Sequence, residues 1–302
     1  MTNPLASRAA RARTAPLLAL GALCLGGCAA APPRSQFPTA DAALGRMKET
    51  NACVNGVQGD AKIDHFSTQG RIRGEVFLLA VNPDRVRFDI VAFGTPVYTL
   101  TSDGARFEML DLREKQFLYG PASPCNLARL TQVPLPGHAL VSLLRGEAPV
   151  LVHQPPEASI AWDGGGFYRI QLKSTREATE EIHLEVRPED GDKPWQQQRV
   201  RVTQVRVAQR GVDLYLADLS RFEAAHTAPA RVDPDGIDPP IPPSGPACDA
   251  ELARSIRMQV PNTGEDVVFQ YKTAAWSPPL VQGAFRQKPS GGVRERFVTC
   301  DK

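Results

Sequence analysis

Consecutive segments of this chain alternate apolar with charged or polar residues, and this period-two pattern constrains the fold most. In segment 85–90, valine, phenylalanine and isoleucine alternate with two arginines and an aspartate. Segments 168–172, 182–186, 200–207 and 212–216 repeat the pattern. Such an alternation places the apolar side chains on one face of a β-strand. The sequence therefore predicts a mainly β (α+β) fold: a curved antiparallel sheet with one apolar face, which other elements must cover.

Three short helices are predicted to cover the apolar face of the sheet. Thr39 is the expected N-cap of a helix that runs to about Glu49. Two further helices are expected at 126–132 and 138–145, joined by the sequence V-P-L-P. In the last of them, leucines recur with the three- and four-residue spacing that places them on one helix face.

The first residues have the pattern of a targeting segment. Three arginines precede an apolar run at 15–25, which ends in Leu25-Gly26-Gly27-Cys28. This arrangement resembles a bacterial lipoprotein signal, in which Cys28 would become the acylated N-terminus and lipid anchor. An ordinary signal peptide or a short membrane anchor are the alternatives, although the run is shorter than the roughly 20 residues of a spanning helix. Inner-membrane lipoproteins carry aspartate directly after the acylated cysteine, whereas this chain has Ala29 there. We therefore expect the protein to be anchored at the periplasmic face of the outer membrane.

Charge and motifs exclude several function classes. Without the leader arginines, acidic and basic side chains are nearly equal in number, which argues against a nucleic-acid partner. The five histidines are scattered, and neither an HExxH nor a GxSxG motif occurs. The sequence predicts no enzyme, no cofactor and no metal site.

Cysteine usage indicates an oxidising compartment. Beyond the leader, four cysteines remain at Cys53, Cys125, Cys248 and Cys300. Four cysteines allow three pairings. We expect Cys53–Cys125 and Cys248–Cys300, because each of these bonds would stay within one half of the chain.

Composition divides the chain into five parts. We expect a signal peptide at 1–27, a tether at 28–37 and the sheet domain at 38–227. A proline-rich linker at 228–247 then leads to a C-terminal extension at 248–302, which could add a strand to the sheet.

Two segments resemble the LolA/LolB family of lipoprotein carriers and receptors. They are R-F-D-I-V-A-F-G-T-P-V-Y-T-L-T-S-D-G at 87–104 and L-T-Q-V-P-L-P-G-H-A-L-V-S-L-L-R-G at 130–146. The resemblance implies an unclosed antiparallel β half-barrel covered by helices. It also implies binding of the acyl chains of other lipoproteins, with a periplasmic LolA-like carrier as partner and insertion of the cargo into the outer membrane.

The same resemblance assigns candidate site residues. Phe93 and Gly94 match a loop that enters the membrane, and an exposed phenylalanine at a hairpin tip suits the membrane interface. The alternative is that Phe93 folds back into the core. The candidates for an acyl-chain cavity are Val76, Leu78, Phe88, Ile90, Leu100, Leu140, Leu143 and Leu144. Ordinary core positions would have the same pattern.

Two functions follow from these features. The first is an outer-membrane-anchored periplasmic lipoprotein that receives acyl chains and passes them to the bilayer. The second is a non-catalytic envelope module that reuses the fold to hold another lipid or a protein partner, which the extra C-terminal segment favours.

Overall fold

The computed structural model describes residues 30–67, 70–92, 94–289 and 291–300. Within them, the α-helices are α1 (Ala40–Thr50), α2 (Pro124–Thr131) and α3 (Gly137–Leu144). The first eleven strands are β1 (Gly56–Ser67), β2 (Gly70–Val81), β3 (Arg85–Ala92), β4 (Thr95–Ser102), β5 (Arg106–Asp111), β6 (Gln116–Pro121), β7 (His153–Asp163), β8 (Phe167–Ser174), β9 (Ala178–Val186), β10 (Val200–Gln209) and β11 (Val212–Ala224). The C-terminal strands are β12 (Glu251–Val260), β13 (Glu265–Trp276) and β14 (Arg294–Phe297).

All of these strands belong to one unclosed sheet. From edge to edge the order is β14-β6-β5-β4-β3-β2-β1-β13-β12-β11-β10-β9-β8-β7. Every neighbouring pair is antiparallel except β14 with β6. The predicted fold class, a mainly β unclosed sheet with few helices, is confirmed. The C-terminal extension contributes two central strands, β12 and β13, which join β1 to β11.

The two edges of the sheet are protected against further pairing. β7 contains Pro155 and Pro156, which have no backbone N–H to donate. At the opposite edge, the short strand β14 has the sequence RERF and carries three charged side chains. Proline and charge are two of the devices that discourage edge-to-edge association.

The helices cover the concave face of the sheet. α1 contacts β7 and β10, and α3 contacts β2 and β3. Thr39 caps α1 as predicted, because its Oγ1 accepts a hydrogen bond of 3.1 Å from the backbone N–H of Ala42. Leu44 and Met47 of α1 and Leu143 of α3 are buried against the sheet. Each such side chain contributes about 1.5–3 kcal/mol to folding.

The antiparallel order gives the sheet two distinct rims. We define the hairpin rim as the one at which β1, β3, β5, β8, β10 and β12 end, and the tether rim as the one at which β2, β4, β6, β7, β9, β11 and β13 end. The N-terminal tether docks at the tether rim. The backbone N–H of Ala30 donates to the carbonyl of Gly164 at 2.8 Å, and the Trp162 indole N–H donates to the carbonyl of Ala30 at 2.9 Å.

A C-terminal strap, residues 278–289 and 291–300, crosses the convex face. Phe285 packs there against Leu79 and Val81. Arg286 forms ion pairs with Glu108, at 3.0 Å, and with Asp103. Further along the strap, β14 pairs with β6. The strap approaches the sheet so closely that a Cβ at Gly120 on β6 would overlap the carbonyl oxygen of Val298 in the strap.

The disulfide bonds differ from the predicted pairing, which was wrong. Cys53 is bonded to Cys248 with a Cα–Cα distance of 5.4 Å, and Cys125 to Cys300 with a Cα–Cα distance of 6.0 Å. Cys53 and Cys248 precede β1 and β12, which both begin at the tether rim. The strap carries Cys300 across the sheet to α2, where Cys125 lies. Each bond therefore connects the two halves of the chain.

One carboxyl group is buried on the concave face. The Glu180 side chain on β9 is 1 % exposed. Its Oε2 accepts a hydrogen bond of 2.7 Å from the backbone N–H of Leu151, and its Oε1 has no hydrogen-bond partner within the described ranges. Burial raises the pKa of Glu180 to about 8, because the charged form loses its hydration.

We expect peptide mapping without reduction to find the 53–248 and 125–300 bonds. Since the bonded cysteines are 195 and 175 residues apart, serine replacement of either pair is expected to lower the free energy of unfolding by about 2–5 kcal/mol. Each double variant serves as the control for the other. Peptides that link Cys53 to Cys125 would contradict the fold.

Glu180 is expected to make stability depend on pH. Because the folded state holds the proton up to about pH 8 and the unfolded state releases it near its ordinary value, stability falls as pH rises between these values, by roughly 4–5 kcal/mol. Denaturant titrations at pH 5 and pH 9 should show this fall reduced in Glu180→Gln. The control is Glu181→Gln, on the opposite face of β9. An equal fall in Glu180→Gln and the unsubstituted protein would contradict the assignment.

Candidate functional site

An open groove lies on the concave side of the sheet at the hairpin rim. It has a volume of about 490 Å³ and is formed by the ends of β1 to β6 and by the C-terminal end of α2. Its apolar wall includes Ile63, Ile90, Val97, Met109, Leu118 and Leu130. The volume is within the range of about 300–1,000 Å³ that is usual for small-ligand sites.

Two features of the helices leave this part of the sheet uncovered. α3 contacts β2 and β3, but none of its residues lines the groove. α2 ends at Thr131, and Gln132 adopts a left-handed conformation with φ 59° that turns the chain away. The apolar face of the sheet therefore continues beyond the helices that fill its middle.

Gly74 forms part of the groove wall and contributes no side chain. It lies on β2 opposite Ile63 and faces the concave side. A Cβ at this position would lie 3.5 Å from Cγ2 of Ile63 and 3.6 Å from Cγ2 of Ile90, which are ordinary van der Waals distances. A larger side chain at Gly74 would therefore extend into the groove without a clash at its Cβ.

Of the eight predicted cavity residues, one lines the groove. Ile90 is part of its wall. The other seven belong to the packed core beneath the helices, where each is at most 1 % exposed: Val76, Leu78, Phe88, Leu100, Leu140, Leu143 and Leu144. The two groups differ because the middle of β2 and β3 lies under α3, whereas the ends of these strands at the hairpin rim are not covered by it.

The predicted membrane loop adjoins the groove. β3 ends at Ala92 and β4 begins at Thr95. Gly94 is exposed and has φ +75°, a conformation that favours glycine. Ala92 lines the groove. Phe93 lies outside the described residues, and so do the lipid-anchor candidate Cys28 and the rest of the leader.

Polar groups surround the apolar wall. Arg73, Arg113, Arg129 and Asp111 line the groove, as does His65, which is paired with the carboxylate of Glu265.

Beside these groups, on the outer face of β1, Asp64 accepts hydrogen bonds from Arg71 and Arg73. The hydrogen bond from Arg71 holds the pKa of the Asp64 carboxyl below its usual value. Asp64 thus stays charged and partly neutralises Arg73.

Sequence reasoning missed most of the groove. Val97, Met109, Leu118 and Leu130 were not identified as candidates, although each is an apolar residue near a predicted strand or helix end. The available signal was Gly74, a glycine on the apolar phase of a strand otherwise occupied by Val76 and Leu78. A missing side chain on the core face marks a place where the wall is open.

The described ranges contain no cluster of three or more histidine, cysteine, aspartate or glutamate residues that could hold a metal ion. In the same ranges, no helix has the length and apolar character needed to cross a membrane.

Comparisons with known proteins give structural neighbours only. No protein-family model and no curated protein matches the chain. A LolA superfamily protein from Nitrosomonas europaea aligns with a TM-score of 0.49 and 12% identity, over 83% of this chain and 99% of the other. A DUF1329 family protein from Desulfovibrio piger aligns with a TM-score of 0.48 and 12% identity, over 82% and 95%.

A third neighbour is a domain assigned to outer-membrane lipoprotein sorting from Vibrio parahaemolyticus. It aligns with a TM-score of 0.47 and 11% identity, over 82% of this chain and 97% of the other. None of these three structures is described as a LolB protein, and the resemblance to that receptor remains a prediction from the sequence.

Proposed function

We propose that this chain is an outer-membrane-anchored periplasmic lipoprotein that binds the acyl chains of other lipoproteins and helps to insert them in the outer membrane. The observation that carries the proposal is the open apolar groove at the hairpin rim, whose wall lacks a side chain at Gly74. The cargo arrives from a periplasmic LolA-like carrier, and Cys28 holds the acceptor on the membrane.

Transfer needs no covalent step. Each methylene group removed from water contributes about 0.8 kcal/mol. An open groove buries only part of an acyl chain, whereas the interior of a bilayer surrounds it completely. Moving the acyl chain from the groove to the membrane is therefore favourable. The connection between β3 and β4, which follows the groove-lining residue Ala92, is the proposed point of entry into lipid.

The disulfide bonds support the proposed location. The Cys53–Cys248 and Cys125–Cys300 bonds persist in an oxidising compartment such as the periplasm. The Cys125–Cys300 bond also fixes α2, which forms one wall of the groove, to the C-terminal strap. The binding site is thereby held open on a cross-linked scaffold.

The position of the tether favours a second candidate function. Ala30 docks at the tether rim through Trp162 and Gly164, while the groove opens at the hairpin rim. Strands of 8 to 12 residues separate these rims, a distance of about 25–40 Å. While the tether is docked, the groove faces away from the anchoring membrane. This arrangement suits an envelope binding module that holds another lipid or a protein partner, and it requires the tether to detach before insertion.

Filling the groove is expected to abolish acyl-chain binding. Gly74→Leu places a branched side chain between Ile63 and Ile90, where the bound acyl chain would lie. We expect the affinity for a fluorescent fatty acid to fall at least tenfold, as measured by titration of the full chain carrying Cys28→Ala, so that no anchor lipid competes.

The matched control is Gly45→Leu on α1, where a Cβ would have no heavy atom within 4 Å. Thermal unfolding of both variants shows whether the fold is retained. Unchanged binding by a folded Gly74→Leu protein would contradict the proposal.

Replacing Phe93 distinguishes insertion from binding alone. Phe93→Ala should leave fatty-acid affinity within about twofold and slow the delivery of an acylated lipoprotein to vesicles in which the protein is anchored. The physical reason is the loss of an aromatic side chain that partitions into the membrane interface. Delivery at the original rate would exclude Phe93 as the inserting residue. If the unsubstituted protein binds cargo and delivers none, the module function is favoured.

A further inference from the structure

The entrance of the groove carries an excess of positive charge. Arg73 on β2, Arg113 in the β5–β6 connection and Arg129 on α2 line the groove from three separate elements, and all three are exposed. Because these arginines come from three different parts of the fold, the positive charge at the groove does not come from a single stretch of charged sequence.

The acidic groups near the entrance are largely committed to other partners. Oδ1 of Asp111 accepts hydrogen bonds from the backbone N–H groups of Arg113 at 2.9 Å and Glu114 at 3.0 Å, so this carboxylate stabilises a turn. Glu265 is paired with His65. Another nearby carboxylate, Asp64 on the outer face of β1, is shared between Arg73 and Arg71.

Two of the three arginines lack a carboxylate partner within the described ranges. Nε of Arg129 donates to Oδ1 of Asn126 at 3.1 Å, which leaves its charge uncompensated. Arg113 makes no side-chain ion pair in the part of the chain that the structure describes. An anion at the entrance would therefore meet two guanidinium groups without first breaking an ion pair.

We propose that the groove prefers amphiphiles whose headgroup is anionic, a phosphate or a carboxylate, with the chain on the apolar wall and the headgroup between Arg113 and Arg129. This inference rests on the proposed function, since it requires that the groove accept an acyl chain. The interaction at this exposed entrance is modest for each pair and weakens with salt.

The test compares probes with the same chain and different headgroups. Dodecyl phosphate and dodecanoate are anionic, and dodecylphosphocholine is a net neutral amphiphile. Each is titrated below its micelle concentration into the full chain carrying Cys28→Ala. At low salt we expect the anionic probes to bind about five- to tenfold more tightly than the neutral one, and 0.5 M salt should remove most of the difference. Comparing the two anionic probes distinguishes a phosphate headgroup from a carboxylate.

Charge removal at the entrance provides the second arm. In Arg113→Gln/Arg129→Gln the preference for the anionic probes over the net neutral probe should fall to about twofold or less. The control Arg176→Gln/Arg231→Gln removes the same charge from exposed positions outside the groove and should retain the preference. Inorganic phosphate alone, which has no chain, should not bind.

The outcomes separate this inference from the proposed function. Equal binding of all three amphiphiles, each lost in Gly74→Leu, overturns the headgroup preference and leaves acyl-chain binding intact. A preference lost equally in the control pair assigns it to net charge and also overturns the inference. Binding of none of the amphiphiles overturns both proposals.

Discussion

The structure depends on the antiparallel pairing of β13 with β1 and of β12 with β11. These pairs join strands β1–β6 to strands β7–β11, which would otherwise each expose a long unpaired edge in the middle of the sheet. Trp276, at the end of β13, is completely buried and donates from its indole N–H to the carbonyl of Ala250 at 2.8 Å. The C-terminal part of the chain is thus integral to the fold, and both disulfide bonds secure it.

The groove follows from the way this sheet is covered. α1 lies over one half of the concave face and α3 over part of the other, and neither reaches the hairpin rim beside α2. The same apolar face that forms the core is therefore open at its end. Gly74 keeps that end free of a side chain, and the adjoining arginines give it a polar entrance.

The sequence predicted the local elements well and the long-range contacts poorly. Alternation at 85–90 and the N-cap at Thr39 depend on neighbours within a few residues, and the structure contains both features. The disulfide pairing and the position of β13 depend on where the C-terminal extension inserts into the sheet, which no local pattern specifies. Likewise, Leu140 and Ile90 have the same apolar character in the sequence, but only Ile90 lines the groove, because the difference depends on where α2 and α3 end.

The most direct test of acyl-chain binding is photo-crosslinking with a fatty acid that carries a diazirine near the end of its chain. After irradiation with the full chain carrying Cys28→Ala, modified residues are located by mass spectrometry. We expect adducts on the groove wall, at residues such as Ile90, Met109 and Leu118, that excess unlabelled fatty acid prevents. Adducts confined to the convex face or the C-terminal strap, or adducts that unlabelled fatty acid fails to prevent, would contradict this expectation.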